Sequence, residues 1–413
     1  MMWEYVTFEQ LYSTPSRNGV TRPKAVRGSG YKMVNMGELF SYDFLSDQQM
    51  DRVPMTDREL DNCRLFAGDL LFARQSIVAS GAGKCSIVMS VPEETVFESH
   101  LIRIRLDQAQ ACPLFYFYYF QSPYSKMQSL VRQCAQAGIK GSDLAKLTVL
   151  MPPVAEQRKI SSILYRYDDL ITANQRRIQL LEESVRLLYR EWFVKLRFPG
   201  HETVPVRDGV PVGWRCCNLS ELADINPSAI SAKDHPQVIK YVDISSVGTG
   251  HIDDVEEITF DEAPGRARRR VRHGDIIWSC VRPNRRSYAL IWEPEDNLIV
   301  STGFAVLTAL TVPFSYLYLA CTTDDFVSYL TNQATGAAYP AVTAKDFEKA
   351  TILLPDQETL AAFDTLVLPH QEQIDTLQGQ NRQLREARDL LLPKLMSGAL
   401  DVSRINVPQE VAA

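Results

Sequence analysis

The stretch SGAGKCS, from Ser80 to Ser86, is the nearest this chain comes to a phosphate-binding loop, and it falls short. Such a loop needs a glycine five places before Gly83 and a Ser or Thr after the lysine to bind magnesium. Val78 and Cys85 stand there instead. No GxGxxG opens a dinucleotide or S-adenosylmethionine cradle, no HExxH occurs, and the six histidines are scattered. Ser220 and Ser301 lack the context of a nucleophile elbow. Asp69 and Asp275, each after a glycine and before an apolar run, have the setting of turn residues rather than bases. These residue types offer no catalytic constellation.

What they offer is arginine. Between residues 266 and 286 stand Arg266, Arg268, Arg269, Arg270, Arg272, Arg282, Arg285 and Arg286 against one acid, Asp275. A second group, Arg17, Arg22, Lys24, Arg27 and Lys32, has no acid among its members. Both lie in loop-like sequence bearing Gly or Pro, where arginine can reach phosphates or take a bidentate grip on guanine. One such run is ordinarily a solvated face; two, one in each half of the chain, leave a solvated face and a nucleic-acid partner as equal readings. The net charge of −6 argues only mildly against such a partner, because acids elsewhere can leave two positive faces exposed.

The elements that would position these groups repeat. Trp3, Phe8 and Leu11 recur as Trp214, Leu219 and Leu222, offset by 211. Met33-Val34-Asn35-Met36 recurs as Tyr241-Val242-Asp243-Ile244 at 208, GDLLF at Gly68 as GDIIW at Gly274 at 206, and LTVLMP as ATILLP at 203. The ordered, falling offset marks a duplication of roughly 205 residues, far too long a period for a solenoid. Each half mixes strand-like runs (GDLLFAR, KCSIVMSV, HLIRIRL; GDIIWSCV, SYALIW, GFAVLTA) with apolar runs read as helices, PLFYFYYFQSPYSKMQSLV and FSYLYLACTTDDFVSYLTN. LFYFYYF, from Leu114, reads as a buried helix.

A long helix follows each half. Leu164, Ile171, Ile178, Val185 and Trp192 recur by sevens, as do Tyr167, Asn174, Leu181 and Leu188; two such rows make a coiled-coil seam. Adding 203 gives Val367, Ile374, Asn381, Arg388 and Leu395, with His370, Leu377, Leu384 and Leu391. Asn174 and Asn381 are of the type that fixes register. Trp192 continues the seam, whereas Phe193 points elsewhere and suits a subunit contact. The fold expected is α+β, pseudo-twofold, with two duplicated domains separated by two long helices that pair as a coiled coil. Its segments are a first domain 1–155, a helix 156–196, a second domain 197–356, a helix 357–402 and a tail 403–413, with a Gly/Pro-rich linker at 197–214.

Apolar residues make up 45% of the 413 and charged residues 23%, as in soluble proteins. No stretch approaches a membrane span, and no signal peptide is expected at the N-terminus. Eight cysteines without a CxxC pair read as reduced thiols of a cytoplasmic protein.

Three stretches carry a family resemblance: PPVAEQRKISSIL from Pro152, LLEESVRLLYREWFVKLRFPGHE from Leu180 and LLPKLMSGALDV from Leu391. They resemble the conserved regions of type I restriction–modification specificity subunits. GDIIWSCVRP, VSTGFAVL and GAAYPAVTAKDFEKATILLP resemble that family's second target-recognition domain. The resemblance implies that the two helices form an antiparallel coiled coil between two target-recognition domains, and that the chain is a non-catalytic subunit of a bacterial defence system, each domain reading one half of a bipartite site on double-stranded DNA. It also implies two modification (methyltransferase) subunits docked on the helices and restriction (endonuclease/translocase) subunits beyond them. No cofactor is expected on this chain; S-adenosylmethionine, ATP and magnesium belong to those partners. The resemblance marks Arg282 in the VRP turn and Tyr339 in GAAYPAV as lying near DNA. Arg74, Lys84 and Lys140, in the matching stretches of the first domain, join the candidate contacts. There QSIVASG replaces the RP turn and GIKGSDL replaces GAAYPAV, so the two domains are expected to read different sequences. A self-contained methyltransferase and a coiled-coil adaptor are the rival readings; the missing cofactor loop and the paired basic clusters count against them.

Overall fold

A computed structural model describes residues 3–133, 137–403 and 405. The expected tail lies outside them apart from Ser403 and Ile405. The chain divides into two compact units, Met1–Ala173 with Asn381–Ala413, and Asn174–Gln380. The expected segments kept each long helix whole, but contacts divide both helices, because each helix packs on one domain over half its length and on the other beyond.

In the first unit, five strands order as Tyr12–Asn18, Leu101–Leu106, Leu70–Ala73, Cys85–Val88 and Phe44–Leu45, antiparallel except for the last pair. A second sheet sets Tyr31–Val34 parallel to Thr95–Phe97 and antiparallel to Asp51–Val53. The helix Pro113–Gln121 buries all seven residues of LFYFYYF, which is why it is apolar all round. It stops at Ser122, ahead of Pro123, so the longer helix expected there breaks into short 3-10 turns.

The second unit repeats this plan. Arg215–Asn218 pairs with Thr351–Leu354 as Glu4–Thr7 pairs with Thr148–Met151. Val238–Val242 lies parallel to Leu298–Ser301, and Ile276–Ser279 lies antiparallel to Phe304–Ala309. Small interactions recur as well. The Trp3 indole N–H donates to Glu156 at 3.0 Å and that of Trp214 to Asp356 at 2.6 Å, each carboxylate at the start of a long helix. Gly68 and Gly274 both adopt positive φ, +88° and +83°, which accounts for glycine at each. The next residues, Asp69 and Asp275, are buried turn residues whose carboxylates accept the backbone N–H three places earlier, both at 2.8 Å. The apolar run from Phe314 forms two helices, Phe314–Ala320 and Asp324–Gln333, because Thr323 caps the second through the N–H of Phe326.

The long helices span Val154–Tyr189 and Gln357–Met396, the first continuing as a π-turn over Arg190–Val194. Within each unit they run antiparallel. In the first, Ile160 and Leu164 share a core with Leu392, Leu395 and Met396, and Asp168 pairs with Arg388. In the second, Val185, Trp192 and Phe193 share a core with Leu360, Phe363 and Val367. Every seam position from Leu164 to Trp192 and from Val367 to Leu395 is buried or half-buried. Phe193 departs from its expected exposure. It is 5% exposed, with its ring 4.8 Å from that of Phe363 and 4.9 Å from that of Tyr316. The Gly/Pro-rich stretch 197–214 is no free linker: it folds into the hairpin Val206–Arg207/Val210–Pro211, turning at Asp208-Gly209, both at positive φ. Phe198 and Trp214 anchor it, with ring centroids 4.6 Å apart.

Candidate nucleic-acid interface

In the second unit, the strand Ile276–Ser279 ends in a turn that carries Arg282. Val281 bridges to Ala341, and the N–H of Arg282 donates to the Pro340 carbonyl at 2.7 Å. Both Arg282 and Arg286 take left-handed backbone, φ +51° and +56°, around the short turn Pro283–Arg285. Such backbone is disfavoured for side-chain-bearing residues and persists where surrounding bonds enforce it. The guanidinium of Arg282 donates to the Ala338 carbonyl at 3.1 Å and lies 4.7 Å from the centre of the Tyr339 ring. Tyr339 is 70% exposed. The structure thus brings together the two residues singled out by resemblance, one supporting the other through a cation–π contact, with an exposed planar surface beside a charge. Arg285 is exposed at the same turn, while Arg286 pairs with Asp324.

The remaining arginines of that cluster are not a loop. Ala267–Arg270 is the edge strand of a four-stranded sheet, paired with Leu298–Ser301. Arg266 pairs with Asp243 at 2.7 Å and Arg270 with Asp234 at 2.9 Å. Arg268 lies over Phe260, Arg269 has its Nε buried without a hydrogen bond, and Arg272 is exposed. Acids remote in sequence therefore neutralise part of a run that reads as uniformly positive.

The N-terminal cluster of the first unit is similarly paired. Arg22 binds Glu59 at 2.7 Å and the Pro54 carbonyl at 3.1 Å; Arg27 binds Asp51 at 2.7 Å; Lys32 binds Asp47 at 2.6 Å and Glu93 at 2.9 Å. The Arg22 guanidinium, aided by the backbone and hydroxyl of Thr56, holds the Glu59 carboxyl down to about 2. These three side chains stitch residues 20–32 to their neighbours. Arg17 and Lys24 are exposed, with no ion pair shown among the described residues.

Arg74, Lys84 and Lys140 come together instead. The strand Gln75–Ser76 pairs with Ala137–Gly138, the Arg74 carbonyl accepts the N–H of Ile139, and the Lys84 carbonyl accepts that of Ala73. All three thus flank the base of one loop, residues 75–84, which corresponds in the repeat to the Arg282 turn. Lys84 reaches the Phe40 carbonyl at 2.9 Å and Asp43 at 3.3 Å. No helix follows it; the strand Cys85–Val88 does, which removes any phosphate-loop geometry from SGAGKCS. Lys126, Arg132 and Lys146, which sequence reasoning passed over, line grooves of this unit, and Lys84 and Lys126 share one of them. Isolated basic residues in turn-rich sequence carry no pattern by which to find them. Among the described residues, no group of three or more His, Cys, Asp or Glu is placed to hold a metal ion, and no helix is long and apolar enough to cross a membrane.

Comparisons with known proteins agree with one another. The family model described as the type I restriction modification DNA specificity domain matches residues 29–183. The type I restriction enzyme MjaIX specificity subunit of Methanocaldococcus jannaschii is 22% identical, covering 95% of this chain and 91% of that one. The HindI specificity subunit of Haemophilus influenzae is 21% identical, covering 81% and 86%. The crystal structure of a type I restriction–modification S subunit from M. genitalium shares the fold, with a TM-score of 0.58 at 15% identity and 96% of both chains covered. Two repeated units joined by shared long helices, with an arginine turn at the place where the repeats differ, fit that fold, and over nearly its whole length the chain is similar to the specificity subunits of type I restriction–modification systems.

Proposed function

We propose that this chain is the non-catalytic DNA reader of its complex, each unit recognising one half of a bipartite, asymmetric site on double-stranded DNA. The observation that carries this reading is the pair of equivalent loops: Arg282 stacked on exposed Tyr339 in one unit, and residues 75–84 flanked by Arg74, Lys84 and Lys140 in the other. Different residues at equivalent places should read different bases. The long helices, 36 and 40 residues, have lengths of about 54 and 60 Å, and in this reading they set the distance between half-sites. Half-sites read from one face of B-DNA lie roughly 34 Å apart, a distance that a rigid strut can hold and a flexible linker cannot.

The exposed faces of these helices are the surface for two modification subunits. Leu180, Leu187 and Val194 recur by sevens off the seam and are 48%, 51% and 57% exposed, a stripe that water alone does not favour. Those subunits would carry S-adenosylmethionine, and restriction subunits ATP and magnesium, in the cytoplasm where the DNA lies.

The test is single-molecule sequencing of methylated bases in DNA from cells expressing this chain with its modification subunit. Two short motifs with a fixed gap are expected, one of them lost when either unit's loop is disabled. An assembled complex that leaves no such motif would overturn the reading.

A further inference from the structure

At the tip of the first unit's loop, at the place that the Arg282 turn holds in the second unit, stand two β-branched apolar side chains. Ile77 is 91% exposed and Val78 59%. They do not hang on a loose segment. The N–H of Val78 donates to Ser76 Oγ at 3.2 Å, and Gly81 closes a turn onto the Val78 carbonyl at 3.1 Å. A Cβ at Gly81 would stand 2.4 Å from Ser76 Oγ, so glycine there lets the turn close. The strand leading to Ile77 is the edge of a small antiparallel sheet, Arg132–Gln133, Ala137–Gly138 and Gln75–Ser76. Single exposed apolar residues are ordinary; an adjacent pair held out by a closed turn and bordered by Arg74, Lys84 and Lys140 has a surface to meet.

We propose that Ile77 is a specificity-determining residue of the first unit and reads a thymine by apolar contact with its C5 methyl group. This rests on the reading of the chain as a DNA reader. A narrow antiparallel ribbon is of the size the major groove admits and the minor groove does not. Along the major-groove edges of the bases, the thymine methyl is the apolar group on offer. Arg74 and Lys140 on the loop's flanks are the cations left to reach phosphates and hold it at depth, which fixes position without reading sequence. Two units with one fold thus read by opposite chemistry, a charge with an aromatic plane in one and a branched hydrocarbon in the other.

The experiment uses the assembled complex with its modification subunits and duplexes carrying the site found by methylation sequencing. Thymines of the half-site read by the first unit are replaced one at a time by deoxyuridine, which removes only the methyl group. Competition binding should show wild type losing roughly fourfold at one position, the factor for leaving one methyl-sized group unburied. Ile77→Ser should bind the thymine duplex more weakly by the same factor and should not distinguish thymine from deoxyuridine there. Unchanged discrimination at the other half-site checks that the variant is folded. The proposal is overturned if Ile77→Ser behaves as wild type, if wild type ignores every methyl, or if that half-site holds no thymine. Failure of the DNA-reader reading itself is separate, because wild type would then yield no bipartite motif at all.

Discussion

Arg282 does two jobs that lysine could not share. Its guanidinium ties the turn to the Ala338 carbonyl, and its planar face rests on Tyr339. A lysine keeps the charge but loses the fork and the stacking. Arg282→Lys is therefore expected to behave nearly as Arg282→Ala, each weakening discrimination at one base pair of the second unit's half-site by about tenfold, the scale of one bidentate base contact. Binding competition against single-base variants checks this, and full recovery by lysine would reduce Arg282 to a phosphate contact. Among the paired residues, Glu59 gives a measurable handle. Its carboxyl is held at about 2 by Arg22, below its ordinary 4.5. A carboxyl depressed on folding contributes stability above pH 4.5 and loses it as pH falls toward 2. Both side chains are partly exposed, so the contribution is small. Carbon-detected titration should place Glu59 near 2 in wild type and back toward 4.5 in Arg22→Ala; no movement would mean that Thr56 alone holds it.

At the scale of elements, much was legible and the failures share a cause. The seam could be read because 3.5-residue periodicity survives in sequence, and the duplication because paired strands and their turns keep residue types in order. The repeat of Trp3 to Glu156 as Trp214 to Asp356 shows why such marks persist: each pins a domain's first strand to the start of a helix. What could not be read were partners remote in sequence. Nothing local says that Asp243 and Asp234 come to Arg266 and Arg270, that Thr323 splits a helix, or that Phe193 turns inward upon Phe363. Arg388 is the sharpest case, an arginine on an apolar seam that the pattern marks only as an irregularity. It meets Asp168, 7% exposed, which also accepts the Tyr118 hydroxyl at 2.5 Å. Burial pushes the Asp168 carboxyl above the ordinary carboxylate range against the pull of both partners. Arg388→Ala leaves that carboxylate buried with only Tyr118, and a loss of about 3 kcal/mol is expected in urea unfolding. An acid raised on folding stabilises below its unfolded value and loses that stability as pH rises through its folded value. The variant should therefore recover as the medium is acidified, and adding Asp168→Asn to the same background should restore most of the loss at neutral pH. A loss that is independent of pH, and that Asp168→Asn does not relieve, would assign Arg388 to packing alone.

For the whole molecule, the proposed ruler makes a demand that neither unit makes alone. Both long helices belong partly to each unit, so a change of length in one helix only would break the seam's register. Lengthening both by one heptad at the midpoints, after Ala173 and before Asn381, keeps the seam in phase and adds about 10 Å. On B-DNA that is about three base pairs. Three base pairs also turn the second half-site by roughly a third of a helical turn, which a seven-residue insertion, close to two full α-helical turns, does not match. Methylation at the original site is therefore expected to vanish, and any residual motif should keep both half-sites and widen its gap by about three base pairs at much lower occupancy. An unchanged gap with normal methylation would remove the helices from the role of ruler and give the spacing to the modification subunits. The half-sites themselves should not change under either outcome, because the loops around Ile77 and Arg282 are built wholly within their own units. Spacing and sequence are thus expected to vary independently.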